Sequence, residues 1–286
     1  MVKQTYKADA MLLLAAFIWG STFVAQRTGM DHVEPFIFNA ARFLLGALIL
    51  LPIALMRPLQ KPLFQTCQTG VILGLILFAG AALQQIGIVY TTAGKAGFIT
   101  GLYVIIVPFM GLFLSLHIGR NAWLGAMLAT VGLYFLSIRG DLTFATGDLL
   151  VFIGAFFWAI HILVIGRVAS LHNVFHLATI QFTICAFFSL IAAFFTETIS
   201  LPNLQDAFLP IAYSGIFSAA IAFTLQIHAQ KNTPETHAAI IFSLEAVFAA
   251  LAGWAFLDEM LTLREFFGCG LMLTGMLSAQ IKPAKK

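Results

Sequence analysis

The chain has 286 residues, 60% of them hydrophobic and only 9% charged, with 29 phenylalanines and a formal net charge of +3. A water-soluble domain places charge at about a quarter of its positions, so this composition excludes an ordinary soluble protein and indicates one built for lipid. About twenty consecutive apolar residues cross a bilayer as helix. Runs of that kind, parted by Pro, Gly and charge, predict spans near residues 9–28, 35–56, 67–90, 96–116, 120–138, 147–168, 173–195, 206–230, 236–257 and 264–281. The expected fold is an all-α membrane protein with ten transmembrane helices.

The first span follows Lys3 and Lys7 in the manner of a signal peptide, but AAFIWGSTFVAQR runs on without a small-residue cleavage site and reads as a retained helix. Its WGSTFVAQ stretch sets Trp19 beside Ser21, Thr22 and Gln26. That suits a wet or substrate-facing surface and equally suits hydrogen bonds between helices. The second span contains Arg42, and the third carries Gln84 and Gln85 toward its end. In the fourth, Gly94, Gly97 and Gly101 precede Tyr103 and the helix breaker Pro108. The glycines fit close helix packing, while the proline frees a carbonyl that can face a cavity. The sixth span holds Trp158 and His161, the eighth Gln226, and the ninth, HAAIIFSLEAVFAALAGWAF, a lone carboxylate at Glu245.

An ionisable group at the centre of a span costs about 2.5 to 3.5 kcal/mol on the insertion scale, so Arg42 and Glu245 each need a partner or a purpose. Three readings are open for Glu245: an ion pair with Arg42, a site that gains and loses a proton, and a site for a ligand amine. Around it, Trp19, Gln84, Gln85, Tyr103, Trp158, His161 and Gln226 fall at depths that suit a substrate cavity near the midplane. Packing or anchoring at the membrane interface is the plainer alternative for any one of the aromatics.

Several chemistries are set aside. Cys67, Cys185 and Cys269 lie in three different spans without paired spacing and read as small apolar fillers. GKA at Gly94 lacks the spacing and the following Ser or Thr of a phosphate loop. HNVFH puts His172 and His176 on one helix face, but with no Glu between them and no obvious third ligand it is not read as a metal site. No G-x-S-x-G or H-E-x-x-H stretch occurs. No cofactor is expected, and no ATP-binding motif is present.

Cation-rich loops stay cytoplasmic. The amino terminus and every second loop hold Lys3, Lys7, Arg57, Lys61, Arg120, Arg167, Lys231, Lys282, Lys285 and Lys286; the other side holds Arg27, Lys95, Arg139 and Arg264. Both termini are therefore expected in the cytoplasm, and the positive charge argues topology, with no nucleic-acid partner. A shift of about 139 residues also aligns the halves. It sets Asp9 and Trp19 against Asp148 and Trp158, and Phe43 against Phe182. With a small drift in register, Gly125 and Gly132 match Gly268 and Gly275. Five spans per half make the copies inverted, residues 1–140 and 141–286, an arrangement typical of secondary transporters that expose a midplane site alternately.

The stretches AAFIWGSTFVAQR, AARFLLGALILLP and SLEAVFAALAGWAFLDEMLT resemble the signature segments of the EamA-like family of the drug/metabolite transporter superfamily, over essentially the whole chain. The resemblance implies ten spans in two repeats, both termini inside, and movement of small metabolites, often amino acids or related compounds, across a bacterial cytoplasmic membrane. Family members usually carry Pro after the ninth-span Glu, where this chain has Ala246, so a proline kink beside Glu245 is not expected. The function expected is export of small amphipathic metabolites, with protons as a candidate coupling ion. The export direction rests on the resemblance alone; an importer, a broad drug exporter and, from another class, an intramembrane enzyme are the alternatives.

Overall fold

The computed structural model describes residues 2–91, 93–116, 118–137, 146–256 and 262–280, and the described residues are helical with no strand. Arg139, the three C-terminal lysines and the boundary between the two expected repeats lie outside the described residues. The helices are α1 (Val2–Gly29), α2 (Pro35–Leu55), α3 (Leu63–Tyr90), α4 (Ala93–Gly101), α5 (Tyr103–Phe113), α6 (Arg120–Ser137) and α7 (Thr146–Val168). They continue as α8 (Val174–Thr196), α9 (Leu201–Asp206), α10 (Phe208–Tyr213), α11 (Thr224–Ala229), α12 (Glu235–Phe242), α13 (Glu245–Phe256) and α14 (Leu263–Gln280), with a π-helix, Ser214–Phe223, joining α10 to α11.

Among the described residues, eight stretches are long and apolar enough to cross a membrane. The stretches expected as the fifth and tenth spans are helical, α6 and α14, but are not among the eight. Each has 18 residues and spends its first turn on charge, Arg120 in one and Arg264 with Glu265 in the other. Length is not what separates them, since Ala96–Phe113 and Glu235–Ala252 are also 18 residues and are among the eight; the polar residues of α6 and α14 lower their mean hydropathy.

Lipid is as apolar as leucine, so helices in a bilayer associate through close shape and small residues. Here α6 packs along α14, α2 along α8, α3 against α7 and α8, and α1 against α13 and the π-helix. Large side chains such as Phe17, Leu48 and Phe194 stay exposed, as they can where the solvent is hydrocarbon. The ends of the α2–α8 pair are tied by carboxylates. Glu197, just past α8, accepts hydrogen bonds from the Phe36 and Ile37 N–H groups at 2.7 and 2.8 Å, and Glu34 accepts one from Thr198 N at 3.0 Å. Glu197 thus occupies donors that the first turn of α2 leaves unpaired, while Glu34 holds the chain just beyond α8. Burial pushes the Glu197 carboxyl above its usual range, and the two N–H donors pull it back.

Three interruptions break the spans. The fourth span breaks at Leu102, so that Tyr103 opens α5. The ninth breaks at Ser243 and Leu244, so that Glu245 opens α13. This second break forms without the proline that the resemblance associates with the position. Ser243 Oγ donates back to the Ile240 carbonyl at 2.8 Å, and the ladder tightens to three-residue spacing through Leu244 N to Ile241 O and Ala246 N to Ser243 O. Such serine back-bonding bends helices. The third irregularity is the ten-residue π-helix in the eighth span, a conformation frequent at functional sites.

Candidate functional site

The interrupted helices converge on one partly open cavity of about 50 Å³. Its wall takes Trp19, Phe23 and Gln26 from α1, Arg42 and Phe43 from α2, and Gln84 from α3. Thr100, Tyr103, Trp158, His161, Ile162, Ser218, Phe223, Gln226, Phe242 and Glu245 complete it. Every side chain expected at the site from sequence therefore lines this space except Gln85. Gln85 is fully buried and turns to α1, where its Nε2 donates to the Gln26 carbonyl at 3.4 Å.

Amides organise one side. Gln84 Oε1 accepts from Trp158 Nε1 at 2.8 Å and from Thr100 Oγ1 at 3.4 Å, while Gln84 Nε2 donates to Gln26 Oε1 at 3.2 Å. Gln226 Nε2 donates to Gln230 Oε1 at 3.0 Å, and Gln226 Oε1 is buried without a partner. His161 Nε2 donates to Gln181 Oε1 at 2.9 Å. Aromatic rings close the rest, with Phe223 at their centre. Its ring centroid lies 4.9 Å from that of Trp19, 6.2 Å from that of Trp158 and 5.7 Å from that of His161.

Glu245 and Arg42 share the cavity without pairing. Tyr103 donates its hydroxyl to Glu245 Oε1 at 2.9 Å. The α1 backbone reaches the same residue because position 20 is glycine: a Cβ there would stand 2.5 Å from the Glu245 carbonyl oxygen. Arg42, 3% exposed, lies with its guanidinium carbon 4.7 Å from the Phe43 ring centroid and 5.6 Å from that of Phe38. The described residues form ion pairs at Arg27–Asp31 and His237–Asp9, and neither involves these two groups.

The wall also pairs off along the chain. Trp19 and Trp158, like Phe23 and Ile162, are 139 residues apart; Gln84 and Gln226, Thr100 and Phe242, and Tyr103 and Glu245 are 142 apart. The two residues that open the broken half-helices are thus the ones that hydrogen-bond to each other. Sequence reasoning missed Phe23, Phe43, Thr100, Ile162, Ser218, Phe223 and Phe242. In a chain with 29 phenylalanines a single Phe carries no signal, although the repeat spacing applied to Trp19 and Gln84 also reaches the Phe23 and Thr100 pairs.

Outside the cavity, His172 is held by the Thr66 and Thr69 hydroxyls at 3.2 and 3.3 Å. Burial, with Lys61 nearby, lowers its pKa below the ordinary histidine value. The described residues contain no cluster of His, Cys, Asp or Glu fit to hold a metal.

The model of the EamA-like transporter family matches this chain twice, over residues 6–138 and again over 145–279. An uncharacterized transporter of Archaeoglobus fulgidus is 35% identical over 98% of this chain and 88% of its own length. The uncharacterized transporter YvbV of Bacillus subtilis is 26% identical, covering 98% and 94%. The uncharacterized inner membrane transporter YedA of Escherichia coli K12 is 24% identical, covering 94% and 90%. A solved crystal structure shares the fold, with a TM-score of 0.80 at 18% identity over 96% of both chains.

Proposed function

The chain belongs to the EamA-like transporter family and is a membrane transporter, and from that premise we propose that it exports small amphipathic metabolites such as amino acids from a bacterial cytoplasm across the inner membrane. Ten spans form two inverted repeats with both termini cytoplasmic, and the cavity is the substrate site. One observation carries this reading: wall residues recur at repeat spacing and meet where two broken helices face each other. Discontinuous helices at a repeat interface are how secondary transporters build midplane sites. A cavity of about 50 Å³ has room for a few waters and none for a metabolite. Substrate must then be admitted by separation of the wall helices, which alternating access supplies.

The orientation is tested by cysteine labelling from outside the cell. Substitutions within residues 196–205 react and those within 57–61 do not; the opposite pattern reverses the orientation, and reaction of both loops from outside overturns the inversion.

The cavity is tested at Trp158. Trp158→Ala lowers transport in proteoliposomes at least tenfold while the purified protein melts within a few degrees of wild type. A wall residue supports little of the fold, whereas a tryptophan that serves as core packing costs about 3 to 5 kcal/mol when truncated. A poorly folded variant whose folded fraction transports normally assigns Trp158 to packing.

A further inference from the structure

We propose that Arg42 is the anion receptor of the cavity and that the transported substrates carry a carboxylate, which it binds. The proposal rests on the cavity being the substrate site and names the substrate's charged group. Arg42 is buried and lines the cavity, its Nε has no hydrogen-bond partner, and no carboxylate among the described residues pairs with it. The Phe43 and Phe38 rings attract the cation but accept none of its five N–H donors in the plane of the guanidinium. A second donor on the same wall, Trp19 Nε1, is buried and equally unpartnered.

Buried donors without protein acceptors suit an acceptor-rich ligand, and a guanidinium fork matches a carboxylate bidentately. One cation balances a monoanion. A phosphate dianion would be left half-compensated beside Glu245. Phe43, Phe223 and Trp19 provide aromatic surface for an apolar body attached to the carboxylate. Export of such acids also explains why Arg42 stands where a neutral residue would cost less: the second repeat has Gln181 at the matching position, 139 residues on.

The test uses purified protein in detergent and matched probes that differ only in charge: phenylacetate against phenylacetamide, and isovalerate against isovaleramide, with inorganic phosphate as an anion lacking an apolar body. Thermal-shift titration of wild type is expected to show each acid binding at least tenfold tighter than its amide, and tighter than phosphate. The preference shrinks in Arg42→Lys and vanishes in Arg42→Met. Without ligand, Arg42→Met melts at or above wild type, because an uncompensated buried charge is removed. Equal binding of acid and amide by wild type, a preference that survives Arg42→Met, no response to any acid, or an Arg42→Met protein that melts several degrees lower would each overturn the proposal. Failure of the underlying cavity reading has a different signature: Trp158→Ala then leaves acid and amide binding alike undisturbed.

Discussion

We expect Glu245→Gln to abolish proton-driven accumulation of substrate in liposomes while exchange between pre-loaded compartments persists, as a proton role for Glu245 in the proposed cycle requires. The amide imitates a permanently protonated carboxyl, so under that proposal the carrier would still cycle with substrate bound and would no longer release a proton on one side. The geometry supports a nearly silent structural effect. The Glu245 carboxylate is held by the Tyr103 hydroxyl at 2.9 Å, and a glutamine carbonyl can accept the same bond. Because no ion pair with Arg42 is made, removing the charge strands no buried partner, and stability should change by no more than about 1 kcal/mol. Had the two been paired, breaking the pair would cost about 3 to 5 kcal/mol. Two results would refute the proton role: a variant that accumulates substrate normally at every pH, or selective loss of amine-bearing substrates with coupling intact, which makes Glu245 a substrate site.

The largest structural effect is expected at the crossing of α6 and α14. A Cβ at position 132 would lie 2.6 Å from the Gly268 carbonyl oxygen and 2.9 Å from Met272 N; one at 268 would lie 2.6 Å from the Gly132 carbonyl oxygen. Gly125 and Gly275 repeat the arrangement, with each Cβ 2.7 Å from the other's carbonyl oxygen. The obstructing atoms are backbone and cannot swing aside. Gly132→Leu is expected to force the helices apart and cost more than about 3 kcal/mol, above the usual range for overpacking. The measurement is monodispersity and melting temperature after solubilisation. Gly270, on α14 itself, faces open space, with no atom outside its own helical backbone within 4 Å of where a Cβ would stand, so Gly270→Ala serves as the control. It should be neutral or slightly stabilising, since alanine favours helix by about 1 kcal/mol over glycine. A Gly132→Leu protein that melts with wild type would show that this contact does not hold the pair.

Much of the site was legible in one dimension because the repeat spacing and the cost of polar groups in lipid both leave marks on a sequence. Trp19 and Trp158 stood out as a matched pair, and Glu245 as a charge needing a reason. Gln85 did not belong with Gln84, and no pattern could say so. Neighbours on a helix point about 100° apart, and only the rotation of α3 about its axis turns one into the cavity and the other toward the α1 backbone.

The amino-acid sequence by itself determined the solvent, the helical class and the approximate ends of the spans, because a backbone in hydrocarbon must satisfy its hydrogen bonds within each segment. Apolar length and interrupting charge are local properties. Tertiary structure decided what faces what. It laid the Arg42 guanidinium over Phe43 and gave Glu245 to Tyr103, 142 residues away. It also opened the ninth span through the Ser243 back-bond where no proline stands. Those outcomes depend on how closely and at what rotation helices from distant parts of the chain come together. Glycine contacts such as Gly20 against the Glu245 carbonyl set that approach, and neither hydropathy nor spacing records it.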